Sequence, residues 1–160
     1  MGKSKRSLSP AAPSNRKGQV AAPEPPAGGD MPPGAKPTWG MSHLDLDHEG
    51  SWSWLTASTK DLRELTTFLA SIEKQTWAEI SRATYSGGMS GTHRCHKLVP
   101  TDQLCPEAQR RLTGLRLDHV EDLFEFRVNS TFRLWGLVRH GVFFPLWRDP
   151  DHKVYPVSRR

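Results

Sequence analysis

Residues 123–148 read LFEFRVNSTFRLWGLVRHGVFFPLWR, three β-prone runs joined by Asn129-Ser130 and by His140-Gly141. Short polar or glycine-bearing links between such runs mark hairpins, so the stretch predicts an antiparallel meander with strands over 123–128, 132–139 and 142–148. Within it Phe124, Phe126 and Val128 alternate with Glu125 and Arg127, and Phe132, Leu134 and Gly136 alternate with Arg133 and Trp135. One face of the meander is expected to be core and the other to carry the charge.

Upstream, the period changes. Ser58-Thr59 with Asp61 supplies an N-cap and a negative first turn, and Leu62, Leu65, Leu69 and Ile72 then recur at helical spacing, which predicts a helix over 60–74. Thr76-Trp77-Ala78-Glu79 has the capping-box form and predicts a second, short helix that stops before Gly87-Gly88. Pro106 suits the first position of a third helix ending near Gly114, with Gln109, Arg110 and Arg111 on its outer face. The glycine-rich stretch 87–91 reads as a flexible turn leading to an edge strand over 93–100, and the alternating SWSWL of 51–55 predicts the first strand. The fold class is α+β, an N-terminal strand and helices packed on a C-terminal antiparallel β meander, in one domain over 51–157.

The first fifty residues read differently. Residues 1–40 hold eight of the 13 prolines and six of the 13 glycines, with six basic groups against two acidic ones. Such a stretch buries too little apolar surface to offset chain entropy, so 1–50 is expected to be a disordered basic tail and acidic linker, suited to loose contact with nucleic-acid phosphates. Charge is also uneven further on: 41–126 carries nine basic and thirteen acidic groups, and 127–160 seven and two. No apolar run is long enough to span a membrane and no signal-peptide core is visible, so the expected location is the cytoplasm, with Cys95 and Cys105 as free thiols. Asp45, Asp47, Glu49 and Gly50 begin like a calcium loop, but Thr56 stands where the bidentate Glu belongs. His93, Cys95, His96 and Cys105 match no closed zinc spacing, so no metal and no small-molecule cofactor are expected.

A strand, a helical pair and then a meander bearing arginines and a terminal His and Tyr resembles the RelE/ParE superfamily of small bacterial toxins, over about 51–156. SWSWL, TWAEI, HRCHKLVP, LCPEAQRRL and the ending WRDPDHKVYP are similar to a group of short bacterial proteins associated with that superfamily. The resemblance implies a ribosome-dependent mRNA endonuclease, or a gyrase poison, with RNA and the ribosome as partners and a cognate antitoxin that holds the domain silent. It also implies roles for Arg127, Arg133, Arg148, His152, Lys153 and Tyr155 in gripping RNA and moving protons. The alternative is a non-catalytic module on the same fold that binds protein or nucleic acid.

The chemistry of those residues fits metal-free RNA cleavage, in which the 2′-hydroxyl is the nucleophile and the site supplies a base, an acid and cations for the phosphate. His152 is the expected base or acid, with Asp149 or Asp151 orienting it and raising its pKa. Arg133 and Arg148, on adjacent strands, are expected to share a face and clamp one phosphate. Tyr155 is a candidate for stacking or proton donation, and His93, His96 and Lys97 for a second basic edge of the same cleft.

Overall fold

The computed structural model describes residues 31–86 and 91–156. Residues 1–30 of the expected tail and 87–90 of the expected turn lie outside the described residues. The elements in chain order are β1 (Thr38–Trp39), α1 (Thr59–Ile72), α2 (Trp77–Arg82), β2 (Thr84–Ser86), β3 (Thr92–Arg94), β4 (His96–Pro100), α3 (Pro106–Gly114), β5 (Asp122–Arg127), β6 (Arg133–Arg139) and β7 (Val142–Asp149). The main sheet has five strands in the order β1-β7-β6-β5-β4, antiparallel except for the parallel β1–β7 pair, and β2–β3 is a separate hairpin. The fold is therefore α+β, as the alternation and the caps imply.

The helices start where the local chemistry sets them. Ser58 and Asp61 exchange hydrogen bonds, as do Thr76 and Glu79, so each pair satisfies the first free N–H groups of its helix. Pro106 occupies the first turn of α3, and Cys105 Sγ accepts from Ala108 N at 3.5 Å, so one of the two free thiols is a helix cap.

Each face of the sheet carries its own core. Phe124, Phe126, Leu134 and Phe143 pack under α1 and α2 with Leu65, Trp77 and Ile80. Leu123, Trp135, Leu137, Leu146 and Trp147 pack under α3 with Ala108 and Leu112. The expectation of one apolar and one decorated face is corrected accordingly: the sheet is covered by helices on both sides, and a cluster of charges lies at one end of the α3 side.

A single bulge controls β7. The register runs Arg139↔Val142 to Gly136↔Pro145, then jumps to Trp135↔Trp147, leaving Leu146 as the extra residue. Its carbonyl takes hydrogen bonds from Asp45 N at 3.1 Å and Trp54 Nε1 at 2.8 Å. Gly136 beside it admits no side chain, because a Cβ there would lie 2.2 Å from the Phe144 carbonyl.

Two expectations fail in the N-terminal part. Residues 51–55 form no strand. Ser53 Oγ accepts from Leu55 N and starts a single 3-10 turn, Trp54–Thr56, and Trp52 and Trp54 enter the opposite cores. The N-terminal strand is instead β1, inside the stretch read as tail and linker. The linker reading of 41–50 is corrected too: Asp45 is 2% exposed and accepts from Arg111 Nε, Arg111 Nη2 and Trp147 Nε1, while His48 stacks on Trp52. Burial alone would push the Asp45 carboxyl up, but the Arg111 and Trp147 hydrogen bonds outweigh it and hold it below its usual value. Arg111 thus points inward from α3 rather than out. Residues 38–57 form a strap along the β7 edge of the sheet, and the folded part begins before residue 51.

Candidate functional site

The alternation of β5 sends Glu125 and Arg127 to the α3 side, and pairing sets Lys97 opposite Glu125 and Arg133 opposite Arg127. Beyond the α3 core these charges floor a cleft of about 450 Å³. The β2–β3 hairpin adds Tyr85, His93 and Arg94 to its wall, and the turn after β7 adds His152. Cys95 joins hairpin to sheet, since its N–H donates to Ala83 O and its carbonyl accepts from Arg127 N.

Glu125 lies at the centre, only 4% exposed. Its Oε1 is 3.3 Å from Arg133 Nε, and its Oε2 is 3.6 Å from Lys97 Nζ and 4.0 Å from His152 Nε2. Neither Glu125 Oε2 nor His152 Nε2 has a hydrogen-bond partner, although both atoms are buried. Burial pushes the Glu125 carboxyl above its ordinary pKa, against the opposing pull of Lys97 and Arg133.

His152 owes its position to Asp149. The fully buried Asp149 carboxylate accepts from Lys153 N and Val154 N, each at 2.8 Å, which folds the DPDH segment back over the sheet. The turn sets His152 at φ +55°, a left-handed conformation that a residue with a side chain adopts at a cost. Burial first, then the charges of Arg133, Lys97 and Arg127, lower its pKa to about 4. The imidazole is therefore neutral at neutral pH, and the contact with Glu125 is not an ion pair there. The expected raising of this pKa by Asp149 or Asp151 is reversed, because Asp149 is occupied by backbone N–H groups and the charges around the ring are cationic.

The cations differ in what they have left to offer. Arg133 is largely engaged within the protein: besides Glu125 it donates to the carbonyls of Asn129 at 2.9 Å, Phe132 at 3.0 Å and Ser130 at 3.4 Å. It braces Glu125. Arg127 lies 3.7 Å from the Tyr85 ring centroid and donates to the Tyr85 hydroxyl, keeping further guanidinium donors at the cleft. Lys97 stands 4.4 Å above the Tyr155 ring and remains 41% exposed. Arg94 is exposed and gives one donor to Ser81 O.

Of the residues expected to form a site, His152, Arg133, Arg127, Lys97, His93 and His96 line the one cleft. Within it His96 lies to the other side of β4, its ring stacked on Phe124 at 5.3 Å, and burial lowers its pKa. Tyr155 stays behind Lys97, its hydroxyl 3.4 Å from Gln103, and Lys153 extends toward Asp151. The expected Arg133–Arg148 clamp is corrected. Arg148 is 2% exposed on the α1 side, where it donates to Asp61 at 3.1 Å and Thr56 at 2.8 Å. Without the bulge the β6–β7 register would continue to set Arg133 opposite Arg148; with it, Arg133 faces Asp149, and Arg148 turns to the opposite face. Glu125, Tyr85 and Arg94 were not among the expected site residues. Glu125 has a sequence signal, a carboxylate between two phenylalanines of a strand; a three-residue strand such as β2 leaves none for Tyr85.

Among the described residues no group of three or more His, Cys, Asp and Glu is placed to hold a metal ion, so the zinc donors considered above are not brought together. No helix among them is long and apolar enough to cross a membrane. Fold and cleft together define an α+β domain with a cationic, histidine-bearing cleft at one end of its sheet. Comparison with protein-family models, with curated proteins and with solved structures gives no match for the chain.

Proposed function

We propose that the cleft binds single-stranded RNA and cleaves it without a metal ion, in the manner that the RelE/ParE resemblance implies: on the ribosome, and held silent by an antitoxin until released. The observation that carries this reading is the meeting, from three separate stretches of chain, of a neutral histidine nitrogen with three cations that keep donors to spare: Lys97, Arg94 and Arg127. Lys97 and Arg127 neutralise a bound phosphate. Tyr85 and His93 give a neighbouring base a surface to stack on, their ring centroids 5.5 Å apart. The His152 ring, 21% exposed at the cleft, accepts the 2′-hydroxyl proton.

A specific observation favours the second reading, a non-catalytic binding module: Arg133 and Arg148 are both committed inside the protein and bring no donor to a phosphate. One experiment separates the two. The full chain is expressed under tight induction while growth is followed and a reporter mRNA is mapped by primer extension. Growth arrest with new 5′ ends that disappear in His152→Ala supports the nuclease; normal growth with intact mRNA supports the module.

A further inference from the structure

One side of α1 is uncovered among the described residues. Between α1 and the strap runs a groove of about 180 Å³, lined by Met41, Leu44, Trp54, Leu62, Leu69 and Pro145 and by no charged side chain. Met41 and Leu62 are 56% and 48% exposed, and with Leu46 and Leu55 they make four of the five large apolar side chains that the described residues leave in water. The strap and the start of α1 thus concentrate the exposed apolar surface. An apolar hollow gains free energy when water is excluded from it, and a patch of this kind marks a contact surface. The chain's own N-terminal segment is a poor occupant, since apart from alanine and proline its apolar residues over 1–30 are Met1, Leu8 and Val20.

We infer that the groove takes α1 of a second copy of this chain, the two helices lying antiparallel about a twofold axis. Such a self-contact requires a ridge and a hollow on one surface, and this surface has both: α1 is the ridge and the groove beside it is the hollow. Leu62, Thr66 and Leu69 border the groove, and helical periodicity continues that stripe to Glu73 and sets Arg63 at its outer margin. With Thr66 near the axis, Leu62 of each copy reaches the groove of the other. The antiparallel arrangement also brings Glu73 of each copy toward the first two turns of the other, where Lys60 and Arg63 are exposed, so the charges are complementary twice over. α1 has 14 residues and is about 21 Å long, and a contact of that length falls at the small end of specific interfaces, under about 1,200 Å² in all. The pair is therefore reversible, and its population follows concentration. The groove lies on the α1 side of the sheet, away from Lys97 and Arg127, so both clefts stay open in the pair.

The test is sedimentation equilibrium of the full chain over a range of concentrations. The native mass is expected to rise from that of one chain, 18.0 kDa, toward that of two and to stop there. Leu62→Glu and Thr66→Arg are expected to stay at the mass of one chain throughout, with melting curves close to native because both side chains are exposed. Cysteine crosslinking then locates the axis. In a chain carrying Cys95→Ser and Cys105→Ser, Thr66→Cys is expected to form a disulfide with its own counterpart on mild oxidation, whereas Ser71→Cys, on the other side of α1, is not. A folded Leu62→Glu that pairs as the native chain does, or masses that grow beyond two chains, overturns the assignment. A native chain that stays single overturns it too. In that case a crosslink between Leu8→Cys and Thr66→Cys within one chain gives the groove to the N-terminal segment, and its absence gives the groove to a different protein.

Discussion

The two faces of the sheet start from the same alternating strands and end as different surfaces. Under α1 and α2 the aromatic residues form a continuous cover, Phe124, Phe126 and Phe143 in edge-to-face contact, and the one arginine on that side, Arg148, is held at the N-terminus of α1. Under α3 the cover is partial. The short α3 covers Trp135, Trp147 and Leu123, and the rest of that face is left to Lys97, Glu125, Arg127 and Arg133. Helix length decides which part of a sheet is core and which part is available for chemistry.

The comparison breaks most visibly at the sealed face. Phe126→Ala removes a 1% exposed ring from the aromatic cover and is expected to cost about 3–5 kcal/mol, read as a lowered urea midpoint. Arg148→Ala is expected to cost about 2 kcal/mol by leaving Asp61 and Thr56 without their donor. It should leave RNA affinity unchanged in the protein that remains folded. A fall in RNA affinity for folded Arg148→Ala would contradict the facial assignment.

At the open face the expected stability effects are smaller and the binding effects larger. His152 is harder to protonate in the folded protein than in the unfolded chain, so the unfolded state binds more protons as pH falls from about 6.5 to about 4. Stability should be full above that window and decline through it, and His152→Gln should flatten the decline. The full shift corresponds to about 3 kcal/mol, to be discounted because the side chain keeps 21% of its exposure. Urea melts of both proteins at several pH values check this. Arg127→Ala is expected to cost under about 1 kcal/mol of stability, the scale of its contact with Tyr85. It should weaken RNA binding at every sequence and lower the salt slope by about one, which a titration at several salt concentrations reads.

Much of this architecture is legible in the sequence, because its signals are local. The capping pairs Ser58–Asp61 and Thr76–Glu79 place α1 and α2, Pro106 places α3, and alternation places β5, β6 and β7. The strap is not legible, since Asp45 looks like any linker carboxylate until Arg111 and Trp147 meet it. The site is half legible. His152, Arg127 and Lys97 carry signals of residue type, whereas the separation of Arg148 from Arg133 depends on one extra residue at Leu146, which no propensity announces. Glu125 carries only the signal of a carboxylate between two strand phenylalanines, because its surroundings include a turn that returns from beyond β7.

The bulge at Leu146 also bears on the order in which the chain folds. Its carbonyl is caught by the strap, and Asp45 reaches Trp147 across 102 residues of chain. Contacts of such separation carry a large loop-closure penalty and form slowly. Hairpin β6–β7 has two registers open to it, one with and one without the slip, and they differ in whether Arg148 joins Arg133 on the cleft side. The strap binds the extra residue, Leu146, and so favours the register in which Arg148 lies away from the cleft.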